Sequence, residues 1–136
     1  RAVNDELDNC IFIDPVSKME LRQYLKAANI GMQLLRNVPV FYYSTSPNKF
    51  FDYIAAGLPV LNNYPGWLAE IIKDHKCGYA VNPDDPKAFS DALEHAADHR
   101  EDLMKMGKNS HNLAIQQFDR NELSDHFSKW VEGTIQ

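Results

Sequence analysis

Residues 46–60, Ser46-Pro-Asn-Lys-Phe-Phe-Asp-Tyr-Ile-Ala-Ala-Gly-Leu-Pro-Val60, hold a helix, its stop signal and the strand that follows it. Ser46-Pro47 reads as N-cap and first helical residue: the hydroxyl accepts from the free N–H groups of the first turn, and proline gives up a donor that this turn leaves unused. The helix runs to Ala56. Gly57 stands where a left-handed C-cap is wanted, and Pro59 opens the strand Val60-Leu61 at a position that tolerates a missing N–H.

The same alternation continues outward. Downstream, Trp67 to Lys73 form a short helix and Tyr79-Ala-Val81 a short strand. Asp85-Pro86 repeats the cap-plus-proline signal ahead of Phe89, Ala92, Leu93 and Ala96. Leu103, Met106, Leu113 and Phe118 recur in one further helix, and Asp119 with Glu122 caps another that carries Leu123, Phe127 and Trp130. Upstream, a polar, aromatic-rich loop holds Tyr42, Tyr43, Ser44 and Thr45, preceded by a strand within residues 30–35. Ahead of that, Ser17 and Glu20 make a capping box for a helix bearing Leu21, Tyr24, Leu25 and Ala28. Cys10-Ile-Phe-Ile13 reads as a buried strand stopped by Asp14-Pro15. Residues 1–9 carry no element of their own, as expected of an excised fragment. Strands alternating with helices over short connections predict an α/β fold, a Rossmann-like parallel sheet flanked by helices.

The 136 residues suit one domain with a core of its own. Hydrophobic residues at 44% and charged residues at 24% are ordinary for a globular protein, which argues against disorder. A formal net charge of -5 provides no broad basic face, so nucleic acid is not expected as a partner, although one local anion pocket is compatible with it. Cys10 and Cys77 are far apart and have no metal or redox spacing, which fits plain thiols in a reducing cytoplasm. No stretch approaches the roughly 20 apolar residues of a membrane-spanning helix, and the chain opens without a signal-peptide pattern.

In open parallel sheets, ligands bind outside the carboxyl ends of the strands. Two loops there carry suitable chemistry. In the first, Ser44 to Lys49, hydroxyls and an amide precede a helix N-terminus with unpaired N–H groups and partial positive charge. Lys49 in that first turn is unfavourable by a few tenths of a kcal/mol unless something anionic offsets it, and a phosphate would do so. Asp52, three residues on, is placed to accept from a ribose diol or to pair with Lys49. Read from the residues alone, the loop is first a capped helix with an ordinary surface lysine, and the phosphate reading comes second. The second loop, Asn62-Asn-Tyr-Pro-Gly66, brings Gly66 where backbone can approach a ligand, or is a simple turn. Tyr42 and Tyr43 either stack on a base or fill their loop. His95 and His99 have i, i+4 spacing but no third ligand, so a solvated helix face is expected and no metal site. Nucleophile-elbow, Walker and GxGxxG signatures are absent.

Residues 46–60 resemble the donor-site segment of glycosyltransferase family 4, whose pattern ends in Glu-Ala-Met-Ala-x-Gly-x-Pro-Val. The resemblance continues through Pro65-Gly-Trp-Leu-Ala-Glu-Ile-Ile72 and Gly78-Tyr-Ala-Val-Asn-Pro-Asp-Asp85 to the helix that holds Leu93. Upstream, it takes in Phe12-Ile-Asp-Pro-Val16 and Ala28-Asn-Ile-Gly-Met-Gln-Leu34. It implies one partial domain over residues 1–136, the C-terminal donor-binding part of a GT-B enzyme without its first βα units and its acceptor domain.

On this resemblance the ligand is a nucleotide diphosphate sugar, a donor substrate rather than a cofactor. Loop amides from Ser46, Pro47, Asn48 and Lys49 meet the phosphates, Asp52 the ribose, Asp14 to Val16 the base, and Gly66 the ligand from the second loop. The family's paired glutamates, eight positions apart, are here Ser44 and Asp52, so the first carboxylate is lost and the second shortened. Ser-Pro-x-Lys before the carboxylate is similar to a branch that builds bacterial surface polysaccharides, which implies a catalytic role for Lys49 in neutralising the diphosphate. The parent is then a retaining hexosyltransferase acting without a metal on a saccharide or lipid-linked saccharide. It would be cytoplasmic, with peripheral attachment to the inner face of the membrane left open, and this fragment would be inactive alone. Two rivals stand beside it: a non-catalytic nucleotide-sugar-binding module of the same fold, and a GT-B nucleotide-sugar epimerase.

Overall fold

Three short parallel strands position everything else in the computed structural model, which describes residues 7–134. In chain order the elements are α1 (Lys18–Ala27), β1 (Gly31–Gln33), α2 (Phe41–Ser44), α3 (Asn48–Ala55), β2 (Val60–Asn62), α4 (Trp67–Asp74), β3 (Gly78–Ala80), α5 (Pro86–Asp98), α6 (Arg100–Gln117) and α7 (Arg120–Thr134). The sheet order is β1-β2-β3, with Gly31, Val60 and Gly78 in one register row and Gln33, Asn62 and Ala80 in another. This is a small open Rossmann-like sheet flanked by helices.

Strand pleating sends alternate residues to opposite faces. The face that carries Val60 is covered by α3, α4 and α6. Their Phe50, Ile54, Leu68, Ile72 and Leu113 pack with Val60, Tyr64 and Cys77 into one core cluster. Each such fully buried aliphatic or aromatic side chain contributes about 1.5–3 kcal/mol. Tyr79 points to the other face and meets His95 of α5, its hydroxyl 3.2 Å from Nδ1.

Several helix limits follow the expected punctuation. Ser17 and Glu20 form the reciprocal capping box of α1. Asp85 accepts from the Ala88 N–H at 2.8 Å, with Pro86 in the first turn of α5. Gly57 takes φ 74° after α3, where a side chain would be strained. Asp119 accepts from the N–H groups of Asn121 and Glu122 at the start of α7.

Other expectations are corrected. The run from Cys10 to Ile13 is not a strand: it pairs with no described strand, and Ile11 and Phe12 are 83% and 81% exposed. An apolar run becomes a strand only where a neighbour takes its backbone hydrogen bonds. Tyr42, Tyr43 and Ser44 belong to the short helix α2 rather than to a loop. Pro47, not Ser46, is the N-cap of α3, whose first residue is Asn48. Proline in extended backbone sets the entry direction without any side-chain bond. The third strand starts one residue early, at Gly78, because its ladder pairs Val60 with Gly78. Phe118 caps α6 from outside, and neither α1 nor α7 buries a residue. Of the segment expected to lack structure, residues 1–6 lie outside those described, and residues 7–9 are in neither helix nor strand.

Candidate functional site

The carboxyl ends of β1 and β2 are tied by one side chain. Asn63, just past β2, accepts from the Leu35 N–H through Oδ1 at 2.8 Å and donates to the Leu35 carbonyl through Nδ2 at 2.9 Å. A primary amide offers one acceptor and two donors side by side, so it extends the ladder where the backbones diverge. On the same edge Gln33 and Asn62, adjacent in register, are fully buried, as is Tyr64 two residues on.

These three bring unpaired polarity to the buried carboxyl end of the sheet. Both amide atoms of Gln33, the Asn62 Oδ1 and the Tyr64 hydroxyl have no partner among the described residues. Burial pushes the Tyr64 hydroxyl above its ordinary pKa. The Gln33 amide lies close enough to oppose that shift, though outside good hydrogen-bond geometry. Leaving such groups unmet costs about 1–3 kcal/mol each. Nothing in the periodicity separated Gln33 and Asn62 from the apolar runs around them; the Asn62-Asn63 doublet closing a strand was the one available signal.

The two candidate loops are brought together. Trp67, first in α4, donates from Nε1 to the Thr45 carbonyl at 2.9 Å, and Tyr42 stacks on Tyr64 with ring centroids 6.4 Å apart. Gly66 has φ 111°, and a Cβ there would lie 2.1 Å from the Tyr42 carbonyl oxygen. The backbone that Gly66 admits is therefore the chain's own, at the junction of the loops. Tyr42 packs inward with its hydroxyl donating to Asn37, whereas Tyr43 is exposed. Ser44 donates to the Val40 carbonyl one turn back, so its hydroxyl is taken up by α2.

Helix α3 then rises from the carboxyl end of β1. Its N-terminus has no side-chain cap and no acidic residue in the first turn. The N–H groups of Asn48 and Lys49 have no intrahelical acceptor by helix geometry. Ser46, Asn48 and Lys49 are exposed and Asp52 is half-buried. The ion pairs among the described residues join Lys87 to Asp91 and Asp102 to Lys105, so Lys49 and Asp52 are not paired with each other. Asp52 nevertheless stands near Tyr53, whose hydroxyl is pushed up first by burial and then by that carboxylate.

Asp14 and Val16 are not brought to this edge by any hydrogen bond; they lie in exposed chain ahead of α1. Two shallow cavities flank the strand ends. One of about 170 Å³ is lined by Tyr43, Gly66, Glu70 and Lys73, and one of about 220 Å³ by Leu34, Asn63, Asn82 and Phe89. Both fall below the roughly 300 Å³ at which small-molecule pockets begin, so this edge is an open face. Among the described residues no cluster of three metal-ligating side chains occurs. His95 and His99 stack ring on ring at 4.0 Å, and His99 turns Nδ1 to the His95 carbonyl.

The arrangement offers a cation with no ion-pair partner among the described residues, and open helix N–H groups, to an anion, with a carboxylate three residues further on. Comparison with known proteins finds that the family described as glycosyl transferases group 1 matches residues 1–99, a stretch that contains β1 to β3 and every candidate site residue. No curated protein and no solved structure matches the chain.

Proposed function

The chain belongs to the group 1 glycosyl transferases, and from that premise we propose that it is the donor-binding part of a GT-B, family 4-like enzyme that uses a nucleotide diphosphate sugar. What carries the reading is the uncapped N-terminus of α3 at the carboxyl end of a parallel sheet, with Lys49 in its first turn and in no ion pair among the described residues. The diphosphate would lie against the N–H groups of Asn48 and Lys49, with the Lys49 ammonium neutralising the charge that builds on it as the glycosidic bond breaks. Asp52 would accept from the ribose hydroxyls. Gly66 and its loop would close the same face, and Asp14 to Val16 would meet the base. Transfer would proceed with retention and without a metal, to a saccharide or lipid-linked saccharide of a bacterial surface polysaccharide, at the inner face of the membrane.

Shift mapping of the chain with UDP, GDP and ADP tests the donor assignment, with free sugars as controls. One nucleotide should perturb residues 46–52 at lower concentration than the others. Lys49→Ala and Asp52→Ala should each weaken that binding about ten- to hundredfold, the range for losing a hydrogen bond to a charged group. Unchanged affinity in both variants would remove the assigned roles.

A further inference from the structure

A cavity larger than both of those at the carboxyl edge lies at the opposite end of the sheet, and no feature of the donor reading uses it. About 580 Å³ in volume, it opens between the chain entering β1, the chain entering β2 and one flank of α6. That volume is within the range of small-molecule sites, unlike the cavities at the carboxyl edge. Its floor is apolar, built by Leu58, Pro59 and Met104. The close approach of Gly107 to Gly57 shapes it: a Cβ on Gly107 would stand 2.5 Å from the Gly57 carbonyl oxygen, so α6 passes here only without a side chain.

The rim is basic. Arg100, Met104, Lys108 and His111 recur at three- and four-residue intervals and so share one flank of α6, where all four line the cavity. Among the described residues no carboxylate lines it. Asn29 accepts from the Arg100 guanidinium at 2.7 Å and holds it at the mouth. The bland account is that these cations complement the C-terminus of α3, which ends beside them. That terminus carries only about half a negative charge, so Arg100 and Lys108 leave roughly one and a half positive charges in excess. Among the residues lining the cavity this is the reverse of the chain's net charge of -5, the neighbouring Glu101 and Asp102 lying outside that lining.

We propose that this groove is a second binding site, for an amphiphile with an anionic head: the apolar body on Leu58, Pro59 and Met104, the head among Arg100, Lys108 and His111. A free phosphate would leave the floor unused, and a neutral amphiphile would leave the rim unpaired. Met104, 63% exposed, has the accessible apolar surface such a ligand would cover.

The test is titration of the isotope-labelled chain with dodecyl phosphate below its micelle concentration, beside inorganic phosphate and dodecyl maltoside. Dodecyl phosphate should give saturable shifts at Gly57, Gly107 and Asn112, and the other two should bind at least about tenfold more weakly. Arg100→Gln with Lys108→Gln should remove the preference for the charged head. Met104→Glu, at an exposed position that the fold does not need, should remove the advantage of the alkyl chain. Equal binding of the neutral amphiphile, equal binding of inorganic phosphate, or shifts confined to the exposed side chains of α7 would each overturn the proposal.

Discussion

The stretch from α3 to α6 and the two terminal helices have similar sequence patterning and opposite fates. Phe50 and Ile54 in α3, and Leu68 and Ile72 in α4, stand one turn apart and are buried. Leu123, Phe127 and Trp130 repeat at helical spacing in α7, and Phe127 and Trp130 remain 64% and 66% exposed. The stripe in α1 behaves alike, with no buried residue. An amphipathic stripe therefore specifies a helix with an apolar side, while burial requires a second surface shaped to receive it. Here the sheet face supplies that surface for the middle of the chain only.

Truncation should expose this contrast most strongly. Ile72→Ala removes a fully buried side chain from the core cluster and should cost about 2–5 kcal/mol in denaturant unfolding. Phe127→Ala should stay within about 0.5 kcal/mol. A comparable loss from both would mean that α7 packs on the core after all.

The two cysteines divide the same way. Cys77 is buried and its thiol is pushed up to about 11 from 9.0, chiefly by burial, whereas Cys10 is exposed. A thiol reagent should modify one cysteine in the native protein and both in denaturant. The raised value also sets a sign: the folded state keeps Cys77 neutral while the unfolded chain ionises. Its contribution is complete below pH 9 and is lost as pH rises toward 11. Half-buried Tyr53 and buried Tyr64, shifted in the same direction, add to that alkaline loss. Cys77→Ala should shift the alkaline limb of the stability curve to higher pH.

The smallest effect belongs to the flank. Ser17→Ala deletes the capping box of α1 and should cost that helix about 0.5–2 kcal/mol, seen as faster amide exchange in residues 18–21. The global unfolding midpoint should not move, because nothing buried depends on α1. A shift in that midpoint would join α1 to the cooperative core.

The candidate site was partly legible for the same reasons. Local chemistry announced itself: Gly57 as a left-handed cap, Asp85-Pro86 as a helix start, and Lys49 as a cation in the first turn of α3. Each is decided by backbone sterics or by a bond spanning a few residues. The Asn63 clamp on Leu35 and the buried Gln33 with Asn62 were not legible. Leu35 lies 28 residues from Asn63, and Gln33 and Asn62 meet only across the sheet, while side-chain type alone does not tell a structural amide from a surface one. The error at residues 10–13 has the same origin. Cys10-Ile-Phe-Ile13 has the composition of a buried strand, but pairing is not a local property.

By itself the sequence determined the order of strands and helices apart from residues 10–13 and α2, most of their limits, and the parallel α/β class. Those follow from φ/ψ restrictions, capping and periodicity, which act within a turn or two of chain. Only the tertiary structure decided which apolar stripes are buried, that the loops at Thr45 and Gly66 meet, that Lys49 and Asp52 stand apart, and that a basic-rimmed cavity opens at the far end of the sheet. These depend on distant segments reaching the same volume, and the side chains that will face one another there are set by packing rather than by spacing along the chain.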